Sequence, residues 1–210
     1  MDDPSEAYGP NRQREMYAGG MLADQRPDLP INPDELREQA MEALSSEAYA
    51  YVVGSAGGED TADRNREAFR RWRIVPRMLR NVAERDLSVD QLSQELPMPV
   101  LLGPIGVQSI IHEGGELASA RAARHLGVPF VSSSAASATM EEVADELGDA
   151  PGWFQLYPSA DPDVTASFVN RAEEAGYDAI VITLDAPTMG WRERDVQNAY
   201  LSFLDGEGVA

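Results

Sequence analysis

Between residues 97 and 182, short apolar runs alternate with longer stretches in which apolar side chains recur every three or four positions. The runs are Val100-Leu101-Leu102, Val128-Pro129-Phe130-Val131, Trp153-Phe154-Gln155-Leu156 and Ala179-Ile180-Val181-Ile182. Between them Glu116 to His125, Met140 to Leu147 and Asp163 to Ala175 have helical spacing. Gly127 and Gly176 stand where helix C-termini favour a residue tolerant of positive φ. Strand and helix alternating every ~25–30 residues predict parallel βαβ units. The earlier chain has a different texture. Gly, Pro, Asn and Asp recur through residues 1–33, which reads as an extended arm ordered where it docks. Asn32 or Asp34 can cap a helix with Pro33 in its first turn, running through Leu36, Ala40, Ala43 and Leu44. A second helix is expected near Thr61 to Arg71, after the glycine-rich Gly54 to Gly58, and Trp72, Ile74, Val75 and Pro76 leave it extended. The expected division is therefore 1–96, an arm with helices, and 97–210, the βα region.

Four such units fit into the chain, whereas a closed (β/α)8 barrel needs eight and typically about 250 residues. An open doubly wound sheet could close with four or five strands, so the count leaves both architectures open. Gly103-Pro104-Ile105-Gly106-Val107, after the first run, is not the dinucleotide fingerprint GxGxxG. Val52 to Gly58 lacks the Lys-Ser/Thr that ends a phosphate loop, and its glycines suit a tight turn. The balance favours part of a barrel over a dinucleotide-binding domain.

In parallel α/β folds the chemistry collects at the carboxyl ends of the strands. Here those ends are polar: Gly103 to Gly106, then Ser132 to Ser134, then Gln155 and Tyr157 on one face, then Thr183 and Asp185 followed by Pro187, Gly190 and Arg192. Hydroxyls, an amide, a phenol and a guanidinium on one rim suit a heteroaromatic ring with hydrogen-bonding edges and a small anion. Each residue also has a plainer use. The serines could cap the next helix, Gln155 could be a satisfied core amide, Tyr157 an amphipathic rim residue and Arg192 a solvated loop charge. His125 near a helix C-terminus complements the helix dipole. His112 has no acidic partner or second ligand at a spacing that would serve a metal or a triad, so neither histidine is assigned a catalytic role and no metal site is expected.

Charge narrows the partners. Asp and Glu number 36 against 17 basic residues, for a net charge of -19, and all 17 are arginine. So negative a surface repels polyphosphate, which argues against nucleic acid as a partner. Acids dispersed among apolar positions, and not in one block, are unlike a disordered acidic tail; so negative a chain fits a host with high internal salt, where screening makes such a surface tolerable, or else an ordinary acidic protein from a GC-rich genome. There is no cysteine, hence no disulfide and no thiolate chemistry. No run of about 18 apolar residues could span a membrane. Met1-Asp2-Asp3-Pro4 lacks the basic-then-apolar order of a signal peptide, so a cytoplasmic protein is expected.

Several stretches together resemble the FMN-dependent α-hydroxy-acid oxidases and dehydrogenases, with the lactate 2-monooxygenase and lactate oxidase branch nearest. They are Ala50 to Gly57, Arg73 to Leu79, Gly103 to Val107, Trp153 to Tyr157, Arg171 to Asp178, and Val181-Ile182-Thr183-Leu184-Asp185 through Gly190 to Asp195, covering most of residues 15–205 in order. The resemblance implies a (β/α)8 barrel, of which this chain carries the N-terminal segment and about four βα units. It further implies FMN as cofactor, a small L-2-hydroxy acid such as lactate and O2 as reactants, and a homo-oligomeric full-length protein. By the same resemblance, Pro104, Ile105 and Gly106 face the flavin near N5. Ser133, Gln155 and Thr183 meet the isoalloxazine edge. Tyr51, Tyr157 and Arg192 hold the substrate carboxylate and its oxygen, and Asp185 lies behind the site and influences the base. The family's basic histidine, followed by an arginine three residues later, its lysine near the flavin and its phosphate-binding turns are expected beyond residue 210. The chain then reads as the first half of such an enzyme. The other reading is a non-catalytic remnant or a half-barrel that needs a second chain. Tyr51, Gln155-x-Tyr157 and Arg192 together disfavour other flavin or phosphosugar barrels.

Overall fold

The computed structural model describes residues 8–81, 86–186 and 188–202. The chain divides into two compact units, Met1–Ser46 and Glu47–Ala210. In the first, helix α1 (Tyr8–Ala23) occupies about half of the stretch expected to be an extended arm, which corrects that expectation there. Pro10 sits in the first turn, where a missing N–H breaks no helical hydrogen bond. Arg, Gln, Glu, Met, Ala and Leu at most later positions outweigh Gly19 and Gly20, which cost about 1 kcal/mol each. Residues 1–7 of the arm lie outside the described residues. Helix α2 (Pro33–Ala43) starts as expected: the Asn32 side chain accepts from Asp34 N (2.9 Å), with Pro33 in the first turn.

Helix α3 (Ser46–Val53) has no counterpart in the sequence reading, which treated Val52 and Val53 as part of the glycine-rich turn. Helix α4 (Asp60–Phe69) lies where expected. A second unforeseen element is the hairpin of β1 (Val89–Gln91) and β2 (Gln94–Leu96), joined through Leu92 and Ser93, both at positive φ (51° and 65°). Two-residue hairpin turns of this hand usually carry Asn-Gly, and Leu-Ser gives no such signal.

The organising feature is a parallel sheet of β3 (Phe130–Ser133), β4 (Gly152–Leu156) and β5 (Ala179–Ile182), hydrogen-bonded in that order. Helix α5 (Gly115–Leu126) precedes β3, α6 (Met140–Leu147) links β3 to β4, and α7 (Pro162–Glu174) links β4 to β5. Gly127 and Gly176 take φ of 65° and 87° at the ends of α5 and α7, as their positions required. Thr139 and Glu142 form a reciprocal capping box on α6. The cap is thus a threonine five residues after Ser134, and the serine triplet is left for other partners. Phe154 and Leu156 on one face of β4 pack with Met140 and Ala172, and Phe130 packs with Ala120, Ala123, Val143 and Leu147. These are the apolar stripes of the helices meeting one face of the sheet.

The first apolar run departs from expectation. Val100-Leu101-Leu102 forms no strand; a single parallel bridge joins Leu102 to Phe130, through Leu102 N to Pro129 O and Val131 N to Leu102 O (both 2.9 Å). Pro97, Pro99 and Pro104 surround the run, and each removes a backbone donor that a ladder would need. Helix α8 (Glu193–Asn198) follows β5. No helix among the described residues is long and apolar enough to cross a membrane.

Candidate active site

A cavity of about 610 Å³ opens at the carboxyl ends of β3, β4 and β5. Alternation along a strand explains what reaches it. With Phe154 and Leu156 turned to the helices, Gln155 faces the other way, beside Ser133 of β3 and Val181 of β5. Seven of the nine residues singled out from sequence line the cavity: Tyr51 from α3, Pro104 and Gly106, Ser133, Gln155, Tyr157 and Thr183. Ile105 does not; its side chain is turned outward and more than half exposed. Nor does Arg192, which lines an adjoining space of about 280 Å³ that shares Met189 and Gly190 with the larger one. Asp185 is exposed and lines neither, and Pro187 lies outside the described residues.

Gln155, only 1% exposed, ties the three strand ends together. Its Oε1 accepts from Ser133 Oγ and Ser134 N (3.2 Å each), and its Nε2 donates to Thr183 Oγ1 (2.8 Å). Because Ser134 N–H can only donate, the amide oxygen must face it, which fixes the orientation of the whole group. Ser133 Oγ in turn accepts from Ala135 N (3.1 Å), and Ser134 Oγ accepts from Tyr157 N (3.2 Å). The two readings of Gln155 therefore merge: it is a satisfied buried amide and also a wall of the cavity.

Opposite, residues 104–107 press against residue 135. A Cβ on Gly106 would lie 3.0 Å from both Ala135 Cβ and Ala135 O, and Val107 N donates to Ala135 O (2.9 Å). Val107 is buried with φ of 44°, a strained conformation for a β-branched residue, costing about 1–3 kcal/mol. What holds it is a carboxylate that sequence reading missed. Glu116 is 1% exposed; its Oε1 accepts from Gln108 N (2.9 Å) and Ser137 N (3.0 Å), and its Oε2 from Ser137 Oγ (3.0 Å). In the sequence it looks like any acid in a helix's first turn, so only its depth distinguishes it.

The Arg192 guanidinium is engaged on three sides. Nε donates to Asp195 Oδ2, Nη2 donates to Tyr51 O (2.5 Å), and Cζ lies over the Tyr51 ring, 4.9 Å from its centroid. The latter is cation–π distance. It is a fixed and partly buried cation, not a solvated loop charge. His112 and His125 are both exposed and line neither space; His112 Nδ1 accepts from Gly114 N (2.9 Å), closing a turn.

Known proteins share the sequence and fold of this chain. The family model described as FMN-dependent dehydrogenase matches residues 40–205. L-lactate oxidase of Lysinibacillus sphaericus is 39% identical over 172 residues, covering 82% of this chain and 45% of that protein. Human 2-hydroxyacid oxidase 1 is 41% identical over 167 residues, covering 80% and 45%. Among solved structures, a lactate oxidase from Pediococcus acidilactici superposes with a TM-score of 0.79 at 32% identity, covering 84% of this chain and 49% of that one. A mandelate oxidase bearing a C4a-OH-FMN adduct gives 0.75 at 36% identity, covering 80% and 50%. The chain spans about half the length of the curated relatives it matches, and its three-stranded parallel sheet corresponds to part of their barrel. Sequence and fold agree, and the chain belongs to the FMN-dependent dehydrogenase family.

Proposed function

We propose that this chain belongs to an enzyme that oxidises a small L-2-hydroxy acid such as lactate, with FMN as cofactor and O2 as terminal oxidant. The observation that carries the reading is the single cavity uniting Tyr51 and Tyr157 with the Ser133–Gln155–Thr183 network, with Arg192 beside it. Its volume lies within the roughly 300–1,000 Å³ of small-molecule sites. Its donor set also fits a flavin: hydroxyl and amide groups that both donate and accept match the alternating edge of an isoalloxazine ring. Pro104 and Gly106 would flank that ring, and Ser133, Gln155 and Thr183 would meet its polar edge. Bound FMN would supply the two-electron acceptor for the Cα hydrogen and return those electrons to O2.

The chain's own part is binding and orientation. A 2-hydroxy acid presents a carboxylate and a hydroxyl on adjacent carbons, so a planar cation and a phenol suffice to set its direction. Arg192 serves as the cation, and its position over the Tyr51 ring already brings the phenol of α3 to the same place. Tyr157, half exposed on the rim, is free to donate to the substrate oxygen as negative charge grows there. No described side chain at the cavity is assigned to take the hydroxyl proton.

Replacing Arg192 by Lys exchanges a bidentate fork for a point charge, so the variant should bind lactate more weakly and turn over more slowly, by about tenfold or more in kcat/KM. Steady-state kinetics of the full-length protein measure this, and unchanged kinetics remove Arg192 from the site. Product analysis separates the branches: pyruvate with peroxide for an oxidase, acetate with carbon dioxide for a monooxygenase.

A second reading concerns residues 1–210 alone. Among the described residues β5 pairs with β4 only, and Ile182 at its end and Leu184 beyond it are exposed. On this reading further elements complete the cavity, and the 210-residue chain does not hold flavin tightly. Titrating FMN into it and recording the visible spectrum should show no tight complex. A bound yellow flavin bleached by lactate without oxygen would refute this second reading.

A further inference from the structure

Two arginines of the segment after β5 reach back across the chain to the connection between α3 and α4, and only one has a use so far. Arg194 Nη2 donates to Glu59 Oε2 (2.6 Å), while Glu59 Oε1 accepts from Ser55 N (3.2 Å). Beside this pair, Gly57 N donates to Trp191 O (2.7 Å) and Arg192 Nη2 to Tyr51 O (2.5 Å). Both arginine side chains pass over Gly54: a Cβ there would lie 3.3 Å from Arg194 Cδ and 3.6 Å from Arg192 Nη2. Each guanidinium also has its own carboxylate, Asp195 for Arg192 and Glu59 for Arg194.

We infer that Glu59 and Arg194 are positioning residues for Tyr51 and Arg192. The ion pair clamps the α3–α4 connection onto residues 191–195 and keeps Arg194 from competing with Arg192 for Asp195. Arg192 is thereby held with its Cζ over the Tyr51 ring, where its remaining N–H groups can meet an anionic substrate. The inference rests on the reading that Tyr51 and Arg192 bind the substrate carboxylate. Because the pair is partly exposed (40% and 26%), its loss leaves the fold intact. Its effect on Arg192 can therefore be read separately from stability.

In the flavin-loaded full-length protein, Glu59→Gln keeps an acceptor for Ser55 N but loses the charge. It should raise KM for L-lactate about fivefold with kcat changed less than about twofold, and Arg194→Met should do the same. The exchanged pair Glu59→Arg with Arg194→Glu should bring KM back to within about twofold of the original. A readout without turnover uses residues 1–210: ¹⁵N-detected exchange of the Arg192 Nε–H should quicken about threefold or more in Glu59→Gln. Arg171, held on Glu141 by two bonds of 2.8 Å, is the internal control and should not change. Unchanged KM and unchanged Arg192 exchange in both single variants overturn the inference, as does an exchanged pair no better than the singles. Failure of the underlying reading looks different: Arg192→Lys then leaves kinetics unaltered whatever the exchange rates show.

Discussion

Strands β4 and β5 lie side by side, paired residue for residue from Trp153 with Ala179 to Leu156 with Ile182, yet they live in different environments. All five residues of β4 are buried, whereas β5 alternates between half-buried and exposed, and Ile182 is 54% exposed. By composition the order should be reversed: β5 reads Ala-Ile-Val-Ile and β4 carries a glutamine. Position in the sheet decides. Strand β4 has a neighbour on each side and helices over Phe154 and Leu156, while β5, among the described residues, has one neighbour. On the other flank the apolar run at Val100 dwindles to one bridge. Hydrophobicity shows that a strand has something to bury, and the neighbours determine whether it does.

The largest test of this contrast compares truncations. Phe154→Ala removes a fully buried ring that lies 5.9 Å from both Phe168 and Tyr177, and should cost about 3–5 kcal/mol. Ile182→Ala should cost less than about 1 kcal/mol, because most of the deleted surface is already wet. Urea unfolding of residues 1–210 gives both values. Equal losses would mean that the outer face of β5 is covered in solution and that the contrast is false.

A smaller effect probes the helix layer over β4. Tyr177 packs on Phe154 and donates to Met140 O (2.8 Å), and burial pushes its phenol up to about 12. In the unfolded chain a tyrosine ionises near 10. Between those values the unfolded state has released the proton and the folded state has not, so the stability from this group is complete below pH 10 and declines as pH rises towards 12. Tyr177→Phe should lose about 1 kcal/mol at neutral pH and should flatten the decline between pH 10 and 12. A variant that keeps the full decline would assign it to other groups.

The smallest effect belongs to the outer surface. Arg171 holds the Glu141 carboxylate through two bonds of 2.8 Å and keeps it below the usual carboxylate range. A depressed carboxyl contributes stability that is present above its unfolded value and lost as pH falls through the folded one, so this contribution should fade below about pH 4.5. Both side chains are substantially exposed, so Glu141→Gln should cost no more than about 1 kcal/mol, measured as a shift in urea midpoint at pH 7 that vanishes near pH 3. A loss comparable with that of Phe154→Ala would show that the α6–α7 contact, and not the sheet, anchors this region.

Much of this protein was legible in its residues taken in order. Asn32-Pro33, Gly127 and Gly176 mark helix ends because capping and positive φ are local requirements, met by the residue itself and its nearest neighbours. The alternation of short apolar runs with helical stretches gave β3, β4 and β5 and their parallel pairing, since a helix between two strands returns the chain to the same end of the sheet. The rim residues were visible for the same reason: strand ends are local, and seven of the nine line one cavity.

Tertiary structure alone decided the rest. The hairpin turn at Leu92-Ser93, the strained Val107 and the burial of Glu116 have no local signature, because each is held by partners elsewhere in the fold or by the pairing of flanking strands. Helix α1 went unread for the opposite reason, its one proline and its glycines weighing more by eye than in energy. Arg192 shows the division best. The sequence determined that a bidentate cation stands shortly after the last strand. That it lines the adjoining space, bonded to Asp195 and to the carbonyl of Tyr51, 141 positions away, follows from packing that brings distant backbone and charge within hydrogen-bond reach. Residue type sets what a side chain can bond to; the fold sets which of those partners lies within 3 Å.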